Sequence, residues 1–164
     1  MINAIVCTDS KKAIGKDNKL LFNLPKDMQF FKDSTAGKIV VCGRKTLESF
    51  PGGKPLKGRS TICICSEENK RDDCYCVHSF NEALKLVQEL SKTQDVWIIG
   101  GQTVYEAFLP YYDLVWLTEV NTDVDGDTFF PDIDALDNFK LVWISEPIED
   151  NGYTIKFCQY ERVN

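Results

Sequence analysis

The feature that most constrains this chain is a set of short, almost wholly apolar runs separated by helical patterns. Ile2 to Cys7, Lys38 to Cys42, Ser60 to Cys65 and Val96 to Ile99 leave little for solvent on either face. Strands of that kind are buried on both sides, which calls for a parallel sheet covered by helices. The intervening segments supply those helices. One is expected to start at Pro25, which fits the first helical position, and to end at Gly37. Gly43-Arg44-Lys45-Thr46 turns into a short helix through Phe50. Ser79 and Glu82 form a capping box ahead of the apolar face Ala83, Leu84, Val87 and Leu90. Gln102 to Leu109 is a helix stopped by Pro110.

The last third changes character. Leu114 to Val120 is one more strand, but Phe139 to Glu146 and Tyr153 to Glu161 alternate around Asn151-Gly152, the pattern of an antiparallel pair closed by a turn. With the short strand Cys74 to His78, eight strands and about four flanking helices are expected. The fold class is α/β, with a mostly parallel mixed sheet and an antiparallel carboxyl-terminal strand. Its 164 residues are the size of one domain with a sizeable core, and no repeat or linker divides 1–164.

Charge and cysteine usage narrow the function classes. A net charge of −6 argues against nucleic acid or an anionic membrane as partner, while leaving room for a small polyanion held by a few local cations. No run reaches membrane-spanning length, and the amino terminus lacks a charged segment followed by an apolar one, so the expected location is the cytoplasm. Cys63-x-Cys65 and Cys74-x-Cys76 have strand spacing rather than zinc-site spacing, and His78 is the one histidine, so free thiols are expected and no metal. Asp123-x-Asp125-x-Asp127 lacks the glycine that a calcium loop needs at its sixth position, where Thr128 stands.

Chemistry concentrates in three places. Ala13 to Phe22 has no helical or strand period and reads as an ordered loop. Beyond it, Leu24, Asp27, Met28 and Phe31 share one helix face, which puts a carboxylate in an apolar stripe. Asp27 either caps its own helix or is a buried acid awaiting a ligand with paired N–H donors. The other two places are strand-to-helix junctions. Gly43-Arg44-Lys45-Thr46 brings two cations and a hydroxyl to one, and Gly100-Gly101-Gln102-Thr103-Val104-Tyr105 brings side-chain-free backbone to the other. Each is a tight turn or a phosphate site. Two in one small sheet favour a dinucleotide, although neither is the GxGxxG of a Rossmann fold.

Ile14-Gly15, Phe22-Asn23-Leu24-Pro25, Asp27 and Phe31 closely resemble the dihydrofolate reductase family in its bacterial form. Gly43-Arg44-x-Thr46 with Ser49, Pro55-Leu56-x-Gly58-Arg59, Ile98-Ile99-Gly100-Gly101 with Val104-Tyr105, Leu117-Thr118 and Gly126-Asp127-Thr128 with Phe130-Pro131 fall in the family's order over nearly the whole chain. The departures are Phe22, where bacterial members usually have Trp, Leu21, where they usually have Pro, and Gln102, where they often have a third glycine.

The resemblance implies a dihydrofolate reductase-like fold and NADPH-dependent reduction of 7,8-dihydrofolate to tetrahydrofolate, with antifolates as further ligands and a monomer as the active unit. Asp27, Thr118 and Phe22 would be the catalytic group, with Asp27 also holding the pteridine. Ile5, Val6, Cys7, Leu20, Met28 and Phe31 would line the substrate site from one side. Ser49, Phe50, Leu56, Ile99 and Tyr105 would complete it, and Arg59 would take the glutamate carboxylate. For NADPH the resemblance implies Cys7, Ile14 and Gly15, then Gly43, Arg44, Lys45 and Thr46. Cys65 and Ser66, the run Ile99, Gly100, Gly101, Gln102, Thr103, Val104 and Tyr105, and Thr128 would make up the rest. The loop at Asp123–Asp127 would pack against the Ile14–Phe22 loop and steady it. Rival readings are the related pyrimidine reductase of riboflavin synthesis, against which Asp27 and Arg59 in register argue, and an inactive NADPH-binding regulator.

Overall fold

Every one of the apolar runs is a strand in the computed structural model, which describes residues 1–163. β1 (Ile2–Thr8) leads into two short strands, β2 (Ala13–Lys16) and β3 (Lys19–Leu20), and then α1 (Pro25–Thr35). β4 (Ile39–Gly43) runs directly into α2 (Arg44–Glu48), followed by β5 (Ser60–Ile64) and β6 (Tyr75–Val77). After α3 (Phe80–Leu90), β7 (Val96–Gly100) passes into α4 (Gln102–Phe108). β8 (Leu114–Val120), β9 (Thr128–Phe129), β10 (Phe139–Ile144), β11 (Ile148–Asp150) and β12 (Tyr153–Arg162) complete the chain.

Eight strands lie side by side in the order β10-β12-β8-β1-β7-β4-β5-β6, and β11 pairs with β12 beside that row. β8, β1, β7, β4, β5 and β6 are parallel to one another, whereas β12 runs antiparallel to β8, β10 and β11. Successive side chains of a strand point to opposite faces. Ile2, Ala4, Val41 and Ile98 accordingly join a core with Phe108 and Tyr112 on one side. Ile5, Val40, Cys42, Trp97 and Ile99 join a second core with Leu47 on the other, against which Phe30 and Phe31 of α1 pack.

Three expectations need correction. Ala13 to Phe22 is not an aperiodic loop throughout, since β2 and β3 form a hairpin that pairs with β9 in a separate three-stranded sheet. Its turn is Asp17-Asn18, both in the left-handed region (φ 52° and 62°) that Asp and Asn tolerate. The turn at Asn151-Gly152 joins β11 to β12, and β10 is a separate strand. α4 ends at Phe108, within one residue of the expected Leu109, and Pro110 sits inside the single 3₁₀ turn, Leu109–Tyr111, that follows it. On α1 the apolar stripe is also rotated from expectation. Phe30 packs on Phe157 and Trp116 with ring centroids 4.6 and 5.7 Å away, and Met28 is exposed.

Phe108 is fully buried and meets the Phe80 ring edge-on at 5.0 Å, joining α4 to α3. Truncating a buried aromatic leaves a cavity as well as losing transfer free energy. Phe108→Ala should cost about 3–5 kcal/mol, read as a lower urea midpoint with unchanged slope. A loss under about 1 kcal/mol would mean that the space closes up.

Candidate active site

The carboxyl ends of β1, β7, β4 and β8 carry Cys7, Gly100, Gly43 and Thr118, on the side of an α/β sheet where ligands bind. A cleft of about 470 Å³ opens there. The two glycine junctions form one wall of it and lie in contact. A Cβ on Gly101 would stand 3.3 Å from the Thr46 hydroxyl, and one on Gly43 would stand 3.4 Å from Val104. Gly100 adopts φ +122°, and a Cβ there would meet the Tyr105 ring at 3.3 Å. Bare backbone is thus what the space requires. Tyr105 is held in turn, donating its hydroxyl to the Ile5 carbonyl at 2.7 Å.

Val6, Cys7, Ile14, Gly15, Leu20 and Ser49 line the cleft, as do Arg44, Lys45 and Thr128 and the whole run Ile99 to Tyr105. Cys65 and Ser66 do not, and the Ser66 hydroxyl accepts from the Asn69 side chain at 2.7 Å. Asn18, Lys19 and Ile64 line it without having been expected. Asp17-Asn18 was the readable signal for the first two, being a turn that folds the hairpin over the cleft. Lys19, Arg44 and Lys45 are the charged groups of the lining, and among the described residues no carboxylate shares it. Arg44 is paired with Glu48 at 2.9 and 3.1 Å, one helical turn on.

Asp27 sits deeper, half-buried at the start of α1. It accepts a hydrogen bond from the Thr118 hydroxyl at 2.6 Å. Cys7 is the residue paired with Thr118 in the β1–β8 ladder, so both reach Asp27 from adjacent strands. Desolvation pushes the Asp27 carboxyl above its usual range, hydrogen bonding from Thr118 and Cys7 works the other way, and the nearby Asp150 carboxylate pushes it up again. Asp27 therefore does not cap its own helix. That role falls to Asp150, which is buried and accepts the backbone N–H of Lys26 at 3.0 Å and of Asp27 at 3.1 Å. Nothing in the sequence near α1 announces a cap that comes from β11.

Around this acid, Ile5, Ile99, Phe31 and Phe50 share the core of α1 and α2, and Leu56 is half-buried. Phe22 packs edge-on against Tyr153 at 5.2 Å, beside Leu24 and Cys7. Arg59 donates through Nε to the Thr35 hydroxyl, through Nη2 to the Lys32 carbonyl and through Nη1 to the Lys57 carbonyl. Of its five N–H groups one on each terminal nitrogen is left over, a fork suited to a carboxylate. The hairpin over the cleft is tied down by Asp127, which donates its N–H to the Gly15 carbonyl at 2.9 Å and accepts from the Asp17 N–H at 3.0 Å.

The family model described as "Dihydrofolate reductase" matches residues 1–162. A dihydrofolate reductase of Staphylococcus haemolyticus is 35% identical over 165 residues, spanning 99% of this chain and 96% of the relative. One from Bacillus subtilis (strain 168) is 35% identical over 167 residues, spanning 100% and 96%. Among solved structures, the dihydrofolate reductase from Enterococcus faecalis complexed with NADP(H) and RAB-propyl superimposes with a TM-score of 0.87 at 31% identity, covering 100% of this chain and 97% of that one.

Asp27 carries a stability consequence of its own. A carboxyl that holds its proton more tightly in the folded than in the unfolded chain stabilises the fold only while protonated. That contribution is lost as pH rises from the usual 3.8 through the raised folded value, so ionised Asp27 lowers stability at neutral pH. Asp27→Asn should therefore melt higher than wild type at pH 7, with the gap narrowing as pH falls through that window. Thermal melts across a pH series check this, and a lower melting temperature for the variant at pH 7 would contradict it.

Proposed function

The chain belongs to the dihydrofolate reductase family, and on that premise we propose that it catalyses NADPH-dependent reduction of 7,8-dihydrofolate to 5,6,7,8-tetrahydrofolate, supplying one-carbon and thymidylate metabolism. The observation that carries this reading is the Asp27 carboxylate, bonded to Thr118 and set beside a cation-lined cleft. The cleft suits a dinucleotide, because Gly43, Gly100 and Gly101 leave open backbone where a Cβ would crowd a neighbour, and Arg44, Lys45 and Lys19 supply positive charge. When bound, NADPH supplies a hydride to C6 of the substrate, and protonation at N5 completes the reduction.

The protein's own residues place the substrate and keep water in check. Asp27 accepts hydrogen bonds from N3 and the 2-amino group of the pteridine, and Thr118 fixes the carboxylate that does so. On the family reading Asp27 does not protonate N5 itself, and a water would carry that proton. Phe22 has no N–H to hold such a water, and its ring packs edge-on against Tyr153. Ile5, Phe31, Phe50 and Ile99 offer apolar walls for the ring and aminobenzoyl group, with Leu56 and Met28 at the margin. Arg59 receives the glutamate carboxylate on its free fork. Antifolates that present paired N–H donors to Asp27 take the same place. A monomer as the active unit remains part of this reading, and seven free cysteines suit the reducing cytoplasm.

Mixing the protein with dihydrofolate and NADPH and following near-ultraviolet absorbance is the direct test. Asp27→Asn should lower turnover near neutral pH by about 10²–10⁴-fold, the usual worth of an acid–base group. The deficit should shrink as pH falls and more substrate arrives protonated. Near-wild-type turnover in that variant would sink the assignment.

Cofactor choice is the second expectation. Arg44 opens α2 at the end of β4, beside β5, where Ser66 follows the strand. We assign this corner to the adenosine 2′-phosphate. Cys65 and Ser66 would then border an outer part of the site beyond the cleft. A hydrogen bond to a charged group is worth about 1.5–3 kcal/mol, roughly ten- to a hundredfold in affinity. Arg44→Ala should reduce the preference for NADPH over NADH by about that factor, chiefly by weakening NADPH. An unchanged ratio of kcat/KM values for the two cofactors would move the phosphate site elsewhere.

A further inference from the structure

The first turn of α1 positions the Asp27 carboxylate, yet it has no cap of its own. Leu24 precedes the helix and offers no side-chain acceptor, and Pro25 removes one donor. The N–H groups of Lys26 and Asp27 instead converge on one oxygen, Oδ2 of Asp150, from the end of β11. The same hairpin holds the chain on either side of that contact. Lys26 donates its ammonium to the Glu149 carbonyl at 2.6 Å, and Asn151 donates its side-chain amide to the Asn23 carbonyl at 2.7 Å. Three consecutive residues, Glu149, Asp150 and Asn151, thus grip Asn23, Lys26 and Asp27. Asp150 is buried, and the partners it has are those two backbone donors.

We propose that Asp150 is a positioning residue for the reaction: from outside the helix it caps α1, aims the Asp27 carboxyl at the substrate, and places a second negative charge beside it. This rests on the reading of Asp27 as the acid that holds the substrate. Two carboxylates close together disfavour the ionisation of the one whose donors are weaker, and a thiol donates more weakly than an amide N–H. Asp150 takes two N–H bonds at a helix start, where the dipole favours an anion. Asp27 takes one hydroxyl and a thiol, and is the member pushed toward its protonated form. The groups facing Asp27 are Cys7 on β1, Thr118 on β8, Asp150 on β11 and, further off, the Tyr105 phenol of α4. Lys26, the nearest cation along the chain, donates to the Glu149 carbonyl and, among the described residues, forms no ion pair with either acid.

Asp150→Asn keeps an acceptor for the two N–H groups and removes the charge, whereas Asp150→Ala removes both. Aspartate labelled with carbon-13 at the side-chain carboxyl is followed by NMR through a pH titration of the full chain without substrate. The Asp27 resonance is the one that disappears in Asp27→Asn. In Asp150→Asn the Asp27 midpoint should move to lower pH while the melting temperature stays near wild type. In Asp150→Ala the midpoint should move the same way, melting should fall by about 2–4 °C for the lost cap, and KM for dihydrofolate should rise. An Asp27 midpoint equal to wild type in folded Asp150→Asn would overturn the proposal, leaving Asp150 a cap and nothing more. Should Asp150→Ala fail to fold, Asp150→Asn alone decides. The titration is read without turnover, so failure of the wild type to reduce dihydrofolate would overturn the functional reading and not this one.

Discussion

The hydrogen bond from Thr118 to Asp27 is the interaction on which the arrangement of this protein turns. A carboxylate set among Leu24, Phe22 and Phe31 is unfavourable unless donors meet it. The donors come from two central strands, Thr118 on β8 and Cys7 on β1, whose register brings the two side chains level. A one-residue slip between β1 and β8 would turn one of them to the opposite face. The parallel core therefore does more than bury apolar surface. It fixes to within a hydrogen bond's tolerance where the Asp27 carboxyl stands.

The cleft beside that acid depends on a different constraint, close approach of backbone. β4 and β7 each end in glycine and each runs directly into a helix, so that α2 and α4 begin side by side. The contact between Gly101 and Thr46 leaves no room for a Cβ without a shift, and the same holds at Gly15, where a Cβ would stand 2.7 Å from the Thr128 hydroxyl. Those glycines set the depth of the site and hold the β2–β3 hairpin against β9. The hairpin's other anchor is Asp127, and a second loop is drawn to it by Asp9, which is fully buried and accepts the N–H groups of Lys11, Ala13 and Val124.

What could be read in the sequence is what short-range rules govern. Strand runs such as Val96 to Ile99, the capping of α3 by Ser79, and the glycine junctions all announce themselves within a few residues, and the structure has them. So do most residues of the cleft, because they cluster at strand ends. The β2–β3 hairpin had only its Asp17-Asn18 turn as a local signal, since its strands are four and two residues long and the pairing of β2 with β9 joins residues more than a hundred positions apart. Asp150 was illegible for the same reason: a cap that arrives from a distant hairpin has no local signature. Met28 and Phe30 exchanged places because a helical stripe fixes relative angles around the helix but not which edge of the stripe meets the sheet.

Charge placement completes the account. The chain carries a net −6, yet the cleft is lined by three cations and, among the described residues, no acid. At physiological salt the field of the whole molecule is screened within about 8 Å, so distant carboxylates do little to repel an anion already at the mouth. Within that range Lys19 and Lys45 supply the positive charge, since Arg44 is paired with Glu48, and the hairpin that carries Lys19 forms part of the lining. Attraction of a polyanionic cofactor is then a short-range property of one wall. The opposite arrangement holds a few residues away, where the half-buried Asp27 and the buried Asp150 stand close and, among the described residues, neither is paired with a cation. The same small site thus favours negative charge at one end and disfavours it at the other, which matches the proposed division between an anionic dinucleotide in the cleft and a ring rich in N–H donors at Asp27.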